Sequence, residues 1–183
     1  MHRKEESMEA QEVLQFWFKE LEPKDWFIKS DALDEEINLR FSKIHQAAIA
    51  GELSHWRNTI QGRLAEIIVL DQFSRNLYRN DARAFLYDGM ALVLAQEALP
   101  YSEELTVIER SFLYMPFMHS ESLAIHQEAE KLFSEPGMEK RAKYEKMHRE
   151  IIEQFGRYPY RNEILGRKST EKELEFLRNH SEF

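Results

Sequence analysis

Three polar stretches of the sequence carry residue types that bind anions or transfer protons. They span residues 71–79 (DQFSRNLYR), 116–121 (PFMHSE) and 148–167 (HREIIEQFGRYPYRNEILGR). Arginine presents a planar fork to carboxylates and phosphates, amides supply donors and acceptors, and histidine titrates near neutral pH. Each stretch lies at or beyond a predicted helix end, where loops on a rigid scaffold often carry binding groups. These stretches are therefore the candidate functional sites.

The first stretch has two interpretations. Asp71 and Arg75 are four residues apart, as are Gln72 and Asn76, so both pairs could interact along one helical turn. Alternatively, Gln72, Arg75 and Asn76 project into a cleft and recognise a carboxylate, a phosphate or a peptide backbone. The second interpretation makes these three side chains ligand-binding residues.

The second stretch contains His119 and Glu121. Ser120 or Ser122 can cap the following helix, and the negative charge of Glu121 suits the positive end of that helix. His119 has no such structural task. It either donates a hydrogen bond to a loop carbonyl or acts as an acid, a base or a metal ligand.

The third stretch begins with His148, which lies four residues before Ile152 on the apolar stripe of a predicted helix. This position predicts an inward-facing ring with one buried hydrogen bond. If that helix lies beside the loop of His119 and Glu121, the three side chains could form a proton-transfer site. They are the candidate catalytic residues, whereas no HExxH or similar pattern supports a metal site.

The loop after that helix is aromatic and cationic, and it includes Arg157, Arg161 and Asn162. The arginines either satisfy the last carbonyls of the helix and stack on Tyr158 or Tyr160, or they extend toward an anionic ligand. The second interpretation adds Arg157, Arg161 and Asn162 to the predicted ligand-binding residues. Residues 139–168 also hold nine basic and five acidic side chains, which permits a local anion site.

The elements that position these stretches are predicted to be helices throughout. Hydrophobic periodicity and capping residues predict helices over about 8–21, 30–50, 59–72, 81–99, 106–116, 120–133, 139–155 and from 170 onward. Thr106 and Thr170 each begin a capping-box pattern, Gly51 and Gly156 are predicted terminators, and Pro116 is expected to break or kink its helix. The fold class is all-α, with antiparallel helix pairs in a superhelix or irregular bundle of about eight helices.

The composition favours one domain over residues 1–183, with frayed ends at 1–7 and 179–183. Hydrophobic residues form 43% of the chain, which is enough for a core without covalent staples. The absence of cysteine excludes disulfides and thiolate sites within this sequence. The net charge of -8 disfavours nucleic acid and anionic membranes as partners. No apolar run suits a leader or a membrane span, so a cytoplasmic location is expected.

The motifs LDQFSRNLYR, PFMHSE and HREIIEQFGRYPYRNEILGRKST together resemble the bacterial family called domain of unknown function 924. The similarity extends from about Val13 to Leu177. It implies a TPR-like all-helical fold and implies no activity. Because the 34-residue TPR sequence signature is absent, peptide binding does not follow from the resemblance.

Two functional hypotheses follow. The first is a binding or scaffold protein whose polar cleft combines all three stretches and holds a small anionic ligand or a peptide terminus. The alternative is an enzyme for a small polar metabolite, in which His119 or His148 performs acid-base chemistry, Glu121 orients the histidine, and Arg75 or Arg161 holds the substrate anion. Serine hydrolase, phosphate-loop and dinucleotide patterns are missing, so no cofactor is expected. The oligomeric state is left open.

Overall fold

A computed structural model describes residues 7–180 of the chain, which form ten α-helices and no strand. Eight of these helices have eight or more residues, so the prediction of an all-α fold with about eight helices is confirmed. The described chain divides into two compact units, one of residues 7–79 and 83–116 and the other of residues 80–82 and 117–180. The prediction of a single domain over 1–183 stays a prediction.

The predicted fraying falls mostly on residues 1–6 and 181–183, which lie outside the described residues. Ser7 and Asn179, which also belong to the predicted frayed ends, have defined places. Ser7 directly precedes the first helix, and Asn179 is the final residue of the last helix. Within residues 7–180 no helix combines the length and the apolar character that crossing a lipid bilayer requires.

The first unit holds most of the helices. They are α1 (Met8–Gln15), α2 (Asp31–Ile49), α3 (Ile60–Ile68), α4 (Ser74–Leu77), α5 (Arg83–Leu86), α6 (Asp88–Ala98) and α7 (Val107–Met118), whose last two residues belong to the second unit. Both α1 and α6 pack against α3. Aromatic rings fill the core, with Phe41 centred 5.0 Å from both Phe16 and Phe73. The apolar circumference predicted for α3 therefore matches its central position.

The central helix contains a wider turn that the periodicity did not predict. The segment Val69–Phe73 forms a π-helix, and the chain then continues as α4 instead of ending at residue 72. A π turn places one more residue in each hydrogen-bonded turn than an α turn. It therefore rotates the residues that follow, including Ser74, relative to an uninterrupted α-helix.

Capping residues confirm several predicted helix ends. The Ser30 hydroxyl accepts a hydrogen bond from the Leu33 N–H at the start of α2. Thr106 and Glu109 bond reciprocally at the start of α7, as a capping box requires. Gly156, with φ of 71°, follows the last residue of α9, and its left-handed backbone is the conformation that glycine adopts without steric cost.

Pro100 lies just after the last residue of α6, Ala98, whereas Pro116 does not end α7. The predicted helix over 81–99 is two helices, α5 and α6, and Pro100 lies at the start of the 3-10 helix Leu99–Glu104. Proline suits a first turn because the N–H at that position has no helical partner. Pro116 lies inside α7, which continues to Met118. Its missing N–H affects only the last turn.

The second unit contains α8 (Leu123–Leu132), α9 (Glu139–Phe155) and α10 (Glu171–Asn179), with a 3-10 helix at Pro159–Arg161. Helices α8 and α9 pack against each other. Ser122 occupies the N-cap position of α8, as one of the two predicted alternatives had it. Ser122 directly precedes α8 without a capping bond from its side chain, and the Ser120 hydroxyl accepts from the Ser122 N–H instead. The candidate residues of this unit lie on the segment between α7 and α8, on α9 and on the loop after α9.

Candidate functional site

In the first unit, Arg75 and Gln72 bond to acidic side chains close by. The Arg75 fork donates to both carboxylate oxygens of Asp88, at 2.8 and 3.0 Å. The predicted partner Asp71 is farther away, with its carboxylate oxygen 3.6 Å from the Arg75 nitrogen. Gln72 donates to the buried carboxylate of Asp71 at 2.8 Å. These contacts form a polar network within the unit.

Asp34 of α2 extends that network. Its carboxylate accepts one hydrogen bond from Asn76 at 2.8 Å and two from the Arg79 fork at 2.6 and 2.8 Å. Gln72, Arg75 and Asn76 thus each bond to a carboxylate of the same unit. Charge-assisted hydrogen bonds of this kind fix the end of a helix, and the ligand-binding role of these residues stays a prediction.

The same unit contains a buried histidine and serine that the sequence reading missed. The Nε2 atom of His45 lies 2.8 Å from the Ser74 Oγ atom, and both residues are fully buried. Burial lowers the pKa of His45 to about 4. A signal for the buried ring did exist, because His45 continues the four-residue spacing of Ile37 and Phe41 on the apolar face of α2.

In the second unit, Glu121 bonds to an arginine and a backbone amide. Its carboxylate accepts from both ends of the Arg167 fork, at 2.7 and 2.9 Å, and from the Tyr158 N–H at 2.7 Å. Burial alone raises the pKa of Glu121, but the donors from Arg167 and Tyr158 outweigh burial and the pKa is lowered. Glu121 therefore anchors the loop after α9 and stays ionised at neutral pH.

Arg157 and Asn162 hold the same loop from its other side. The Arg157 fork donates to both oxygens of Glu173, at 2.7 and 2.8 Å, and this bond lowers the pKa of Glu173 to about 2. Asn162 donates to the Ser169 hydroxyl and accepts from the Arg167 Nε atom. The hydrogen bonds of Arg157 and Asn162 therefore stabilise the conformation of the loop.

His126 forms the histidine-carboxylate pair of this unit, and the sequence reading missed it. Its Nδ1 atom lies 2.7 Å from the Glu145 carboxylate, and its Nε2 atom lies 2.7 Å from the Ser120 carbonyl and 3.0 Å from the Tyr158 hydroxyl. Because a carbonyl only accepts, Nε2 carries a proton. A second proton then lies between Nδ1 and Glu145, whose pKa is raised by burial.

The spacing of residues along α9 could have identified Glu145 as a buried carboxylate. Glu145, His148 and Ile152 are three and four residues apart and all are buried, which is the pattern of one inward face. A carboxylate on such a face needs a polar partner. The periodicity alone did not indicate which histidine would be the polar partner of Glu145.

Arg161, His119 and His148 form a basic cluster. Arg161 is only 5% exposed, its Nη2 atom donates to the His119 carbonyl at 3.1 Å, and its guanidinium lies 4.6 Å above the Tyr158 ring. His148 is buried as predicted, and its Nδ1–H donates to the Tyr144 carbonyl at 2.8 Å. Stacking and burial fix the Arg161 fork in one orientation.

The His148 ring is neutral at physiological pH. Burial is the main cause that lowers its pKa to about 3, and the neighbouring His119, His126 and Arg161 lower it further. The Tyr144 carbonyl opposes this effect by stabilising the protonated ring. The surroundings of His148 thus disfavour a positive charge.

Acidification should destabilise the protein through His148. The folded-state pKa lies below the ordinary value of 6.5, so the unfolded chain binds more protons and stability is lost as pH falls below about 6.5. We expect the free energy of unfolding to fall by about 2 kcal/mol from this group between pH 7 and pH 5. Urea unfolding at pH 5, 6 and 7 measures the change.

A matched pair of variants isolates this effect. His148→Asn should remove the contribution of the buried ring to the pH dependence, and His55→Asn, a replacement of an exposed histidine, is the control. His45, with its pKa near 4, adds a similar slope in both variants. If His148→Asn kept the full wild-type slope, burial of this ring would not be a source of acid sensitivity.

Three of the predicted residues of the second unit, Glu121, His148 and Arg161, contact Tyr158. Its backbone N–H bonds to Glu121, its ring contacts His148 and Arg161, and its hydroxyl donates to the Met118 carbonyl. The shared cleft needs residues of both units and stays a prediction. Among residues 7–180, no group of three or more histidine, aspartate or glutamate side chains has a metal-binding arrangement.

Comparisons with known proteins agree with this helical architecture. A family model described as a bacterial protein of unknown function, DUF924, matches residues 13–181. A solved structure of a protein of unknown function from Agrobacterium tumefaciens has a TM-score of 0.89 and 35% sequence identity, and the match covers 93% of this chain and 97% of that chain. No curated protein matches.

Proposed function

We propose that this chain, which belongs to the DUF924 family of bacterial proteins of unknown function, is a binding protein. The proposal is based on the geometry of its second unit. The ligand is a small anion, either free or as the carboxylate of a peptide terminus. It is held by the basic cluster of Arg161, His119 and His148. The cytoplasm is the proposed location, which fits a sequence without cysteine.

The observation that carries this proposal is the electrostatic environment of His148. His119, His126 and Arg161 each lower the pKa of this buried ring, so positive potential converges on one place. An anion bound there would offset that potential and raise the pKa of His148. Binding should therefore strengthen as the pH falls toward 6.

Two carboxylates of this unit have hydrogen-bond partners outside the basic cluster, and one of them, Glu121, also interacts electrostatically with Arg161. Glu121 accepts both arms of the Arg167 fork, and Glu145 is hydrogen-bonded to His126. Arg161 is desolvated and oriented by the Tyr158 ring. A buried arginine in a fixed orientation binds a carboxylate or a phosphate more strongly than an exposed lysine does.

Thermal-shift measurements with phosphate, acetate and an N-acetylated dipeptide test the proposal. An anion at 100 times its dissociation constant stabilises the native state by about 2.7 kcal/mol, so the melting temperature should rise. Arg161→Leu should abolish this rise. Arg157→Leu is the control from the same loop, because Arg157 pairs with Glu173 and its loss should leave the ligand-induced rise intact.

Each variant is compared with its own melting temperature without ligand, so a loss of stability is not confused with a loss of binding. An equal rise in Arg161→Leu and the wild type would contradict the basic cluster as the binding site. The absence of a rise with all three anions between pH 6 and pH 8 would contradict the anion-binding function itself.

Acid-base catalysis on a small polar metabolite is a second candidate, and the hydrogen-bonded chain of Glu145, His126 and Tyr158 favours it. This chain replaces the predicted orientation of a histidine by Glu121, whose carboxylate contacts Arg167 and Tyr158. Proton NMR of any bound ligand in D₂O discriminates the two functions. A catalyst exchanges a ligand C–H for deuterium and loses this exchange in Glu145→Gln, whereas a binding protein shows no exchange.

A further inference from the structure

The buried pair of Ser74 and His45 in the first unit has no part in anion binding at the basic cluster. The two residues are 29 positions apart in sequence, and their Oγ and Nε2 atoms are 2.8 Å apart. Both side chains have no exposed surface. The pair has the residue types and the distance of a nucleophile and its general base.

The backbone before Ser74 is unusual. Ser74 begins α4 directly after the π-helix Val69–Phe73. Such wide turns cost hydrogen-bond geometry and occur frequently at functional sites. Here the turn precedes the serine that faces His45.

Counting the protons assigns the direction of the hydrogen bond. Burial keeps His45 neutral, so its ring has one N–H, and among the described residues Nδ1 has no hydrogen-bond partner. If Ser74 donates to Nε2, only the Nδ1–H lacks an acceptor. If Nε2–H donates to Ser74, the hydroxyl proton and the Nδ1 lone pair both lack partners. Each unsatisfied buried group costs about 1–3 kcal/mol, so Ser74 is the donor.

Two aromatic side chains contact the His45 ring of the pair. The His45 ring lies edge-on to Tyr78 at 5.4 Å and to Tyr87 at 5.7 Å, measured between ring centroids. Tyr78 is half-buried and is held by surface contacts, since Gln46 donates to its hydroxyl at 3.1 Å and the Arg83 guanidinium lies 4.4 Å from its ring centre. Exposed contacts of this kind are weak. Rotation of the Tyr78 ring is the motion that costs least.

We propose that Ser74 is a masked nucleophile, with His45 as its general base, which accepts an acyl or phosphoryl group from a small uncharged ester when the Tyr78 ring moves aside. The Ser74 oxygen attacks the carbonyl carbon or the phosphorus, and the bond to the leaving group breaks with its electron pair. The hydroxyl proton passes to His45 Nε2 and then to the leaving group. The flanking tyrosine rings are uncharged, which favours an uncharged ester.

The reaction is expected to be slow compared with that of a serine hydrolase. In a catalytic triad a carboxylate bonds to the outer nitrogen of the histidine and stabilises its protonated form. Nδ1 of His45 has no such partner among the described residues. The pair therefore acts as a dyad with a weakly basic histidine.

Diisopropyl fluorophosphate is the probe that tests the proposal. Attack by Ser74 breaks the P–F bond, releases fluoride and leaves a diisopropylphosphoryl group on Oγ. Intact-mass spectrometry should show one adduct on the wild-type protein, and peptide mapping should place it on Ser74. Tyr78→Ala should accelerate labelling roughly tenfold, and His45→Gln should slow it by roughly 100-fold.

Ser111 supplies the matched control. It is a buried serine of the same unit, and its hydroxyl donates to the Ile108 carbonyl at 2.7 Å instead of to a histidine. Labelling should survive Ser111→Ala and disappear in Ser74→Ala. Mapping on the wild-type protein gives the modified residue even if a variant fails to fold.

Three outcomes would overturn the proposal. They are the absence of an adduct in both the wild type and Tyr78→Ala, an adduct that maps to a serine other than Ser74, and labelling of folded His45→Gln at the wild-type rate. All three concern the first unit alone. They are therefore independent of whether the basic cluster binds an anion.

Discussion

Gly62→Ala should destabilise the protein by roughly 3–5 kcal/mol, at the upper end of single substitutions. Gly62 lies in the first turn of α3, and a Cβ atom built on it would be 2.0 Å from the Trp56 carbonyl oxygen and 2.8 Å from its carbon. Both obstacles are backbone atoms of the 3-10 helix Ser54–Asn58, so a change of rotamer does not relieve the clash. Urea unfolding followed by circular dichroism measures the loss.

Gly89→Ala is the control for this prediction. Gly89 also lies in an α-helix, but a Cβ atom there meets nothing within 4 Å. Alanine should stabilise α6 by about 0.5–1 kcal/mol, because glycine loses more backbone freedom on folding. If Gly62→Ala were as stable as Gly89→Ala, the close approach of Trp56 to α3 would be refuted.

The second large effect is expected from Arg57→Ala. Glu66 is fully buried, and its two carboxylate oxygens accept from the Arg57 fork at 2.7 and 2.6 Å. Removing the arginine leaves a charged group in the interior without its cation. Loss of one partner from a buried ion pair costs about 3–5 kcal/mol, which urea unfolding at pH 7 would detect.

Two comparisons separate this mechanism from a general effect of charge removal. Lys146→Ala breaks the exposed contact to Glu150, and surface pairs contribute about 0–1 kcal/mol. The double replacement Arg57→Met with Glu66→Met should recover most of the lost stability, because no buried charge remains. A cost for Arg57→Ala similar to that for Lys146→Ala would show that the buried pair contributes little.

The sequence predicted the helices best where their signals are local. Ser30, Thr106 and Thr170 begin helices as expected, and Gly156 ends α9. Each of these features depends on residues within about one helical turn. Capping and hydrophobic periodicity therefore predicted the all-α class and most of the boundaries.

Predictions that needed distant partners failed or stayed open. The pair of Arg75 and Asp71 that the spacing suggested is present as an ion pair at 3.6 Å, but the spacing did not predict that the Arg75 fork also bonds to Asp88. The carboxylate that contacts a histidine is Glu145, at a separation of 19 residues from His126. Sequence spacing lists the neighbours along one helix, whereas the packing of different helices selects these partners.

For the candidate site, too, local features were easier to predict than contacts between different elements. The three stretches were chosen as candidate sites because each was predicted to lie at or beyond a helix end, and their functional role stays a prediction. The partner of each arginine was not predictable from the sequence, since it depends on which side chain of another element the arginine contacts. Arg157 faces Glu173 and Arg167 faces Glu121, while Arg161 lies over Tyr158.

The ion pair between Glu121 and Arg167 spans 46 residues of sequence. A ribosome adds about 5–20 residues each second, so roughly 2–9 seconds of translation separate the two residues. During that interval the nascent loop around Glu121 is present without the arginine that later fixes it. The second unit therefore completes its polar frame only after Arg167 has left the exit tunnel.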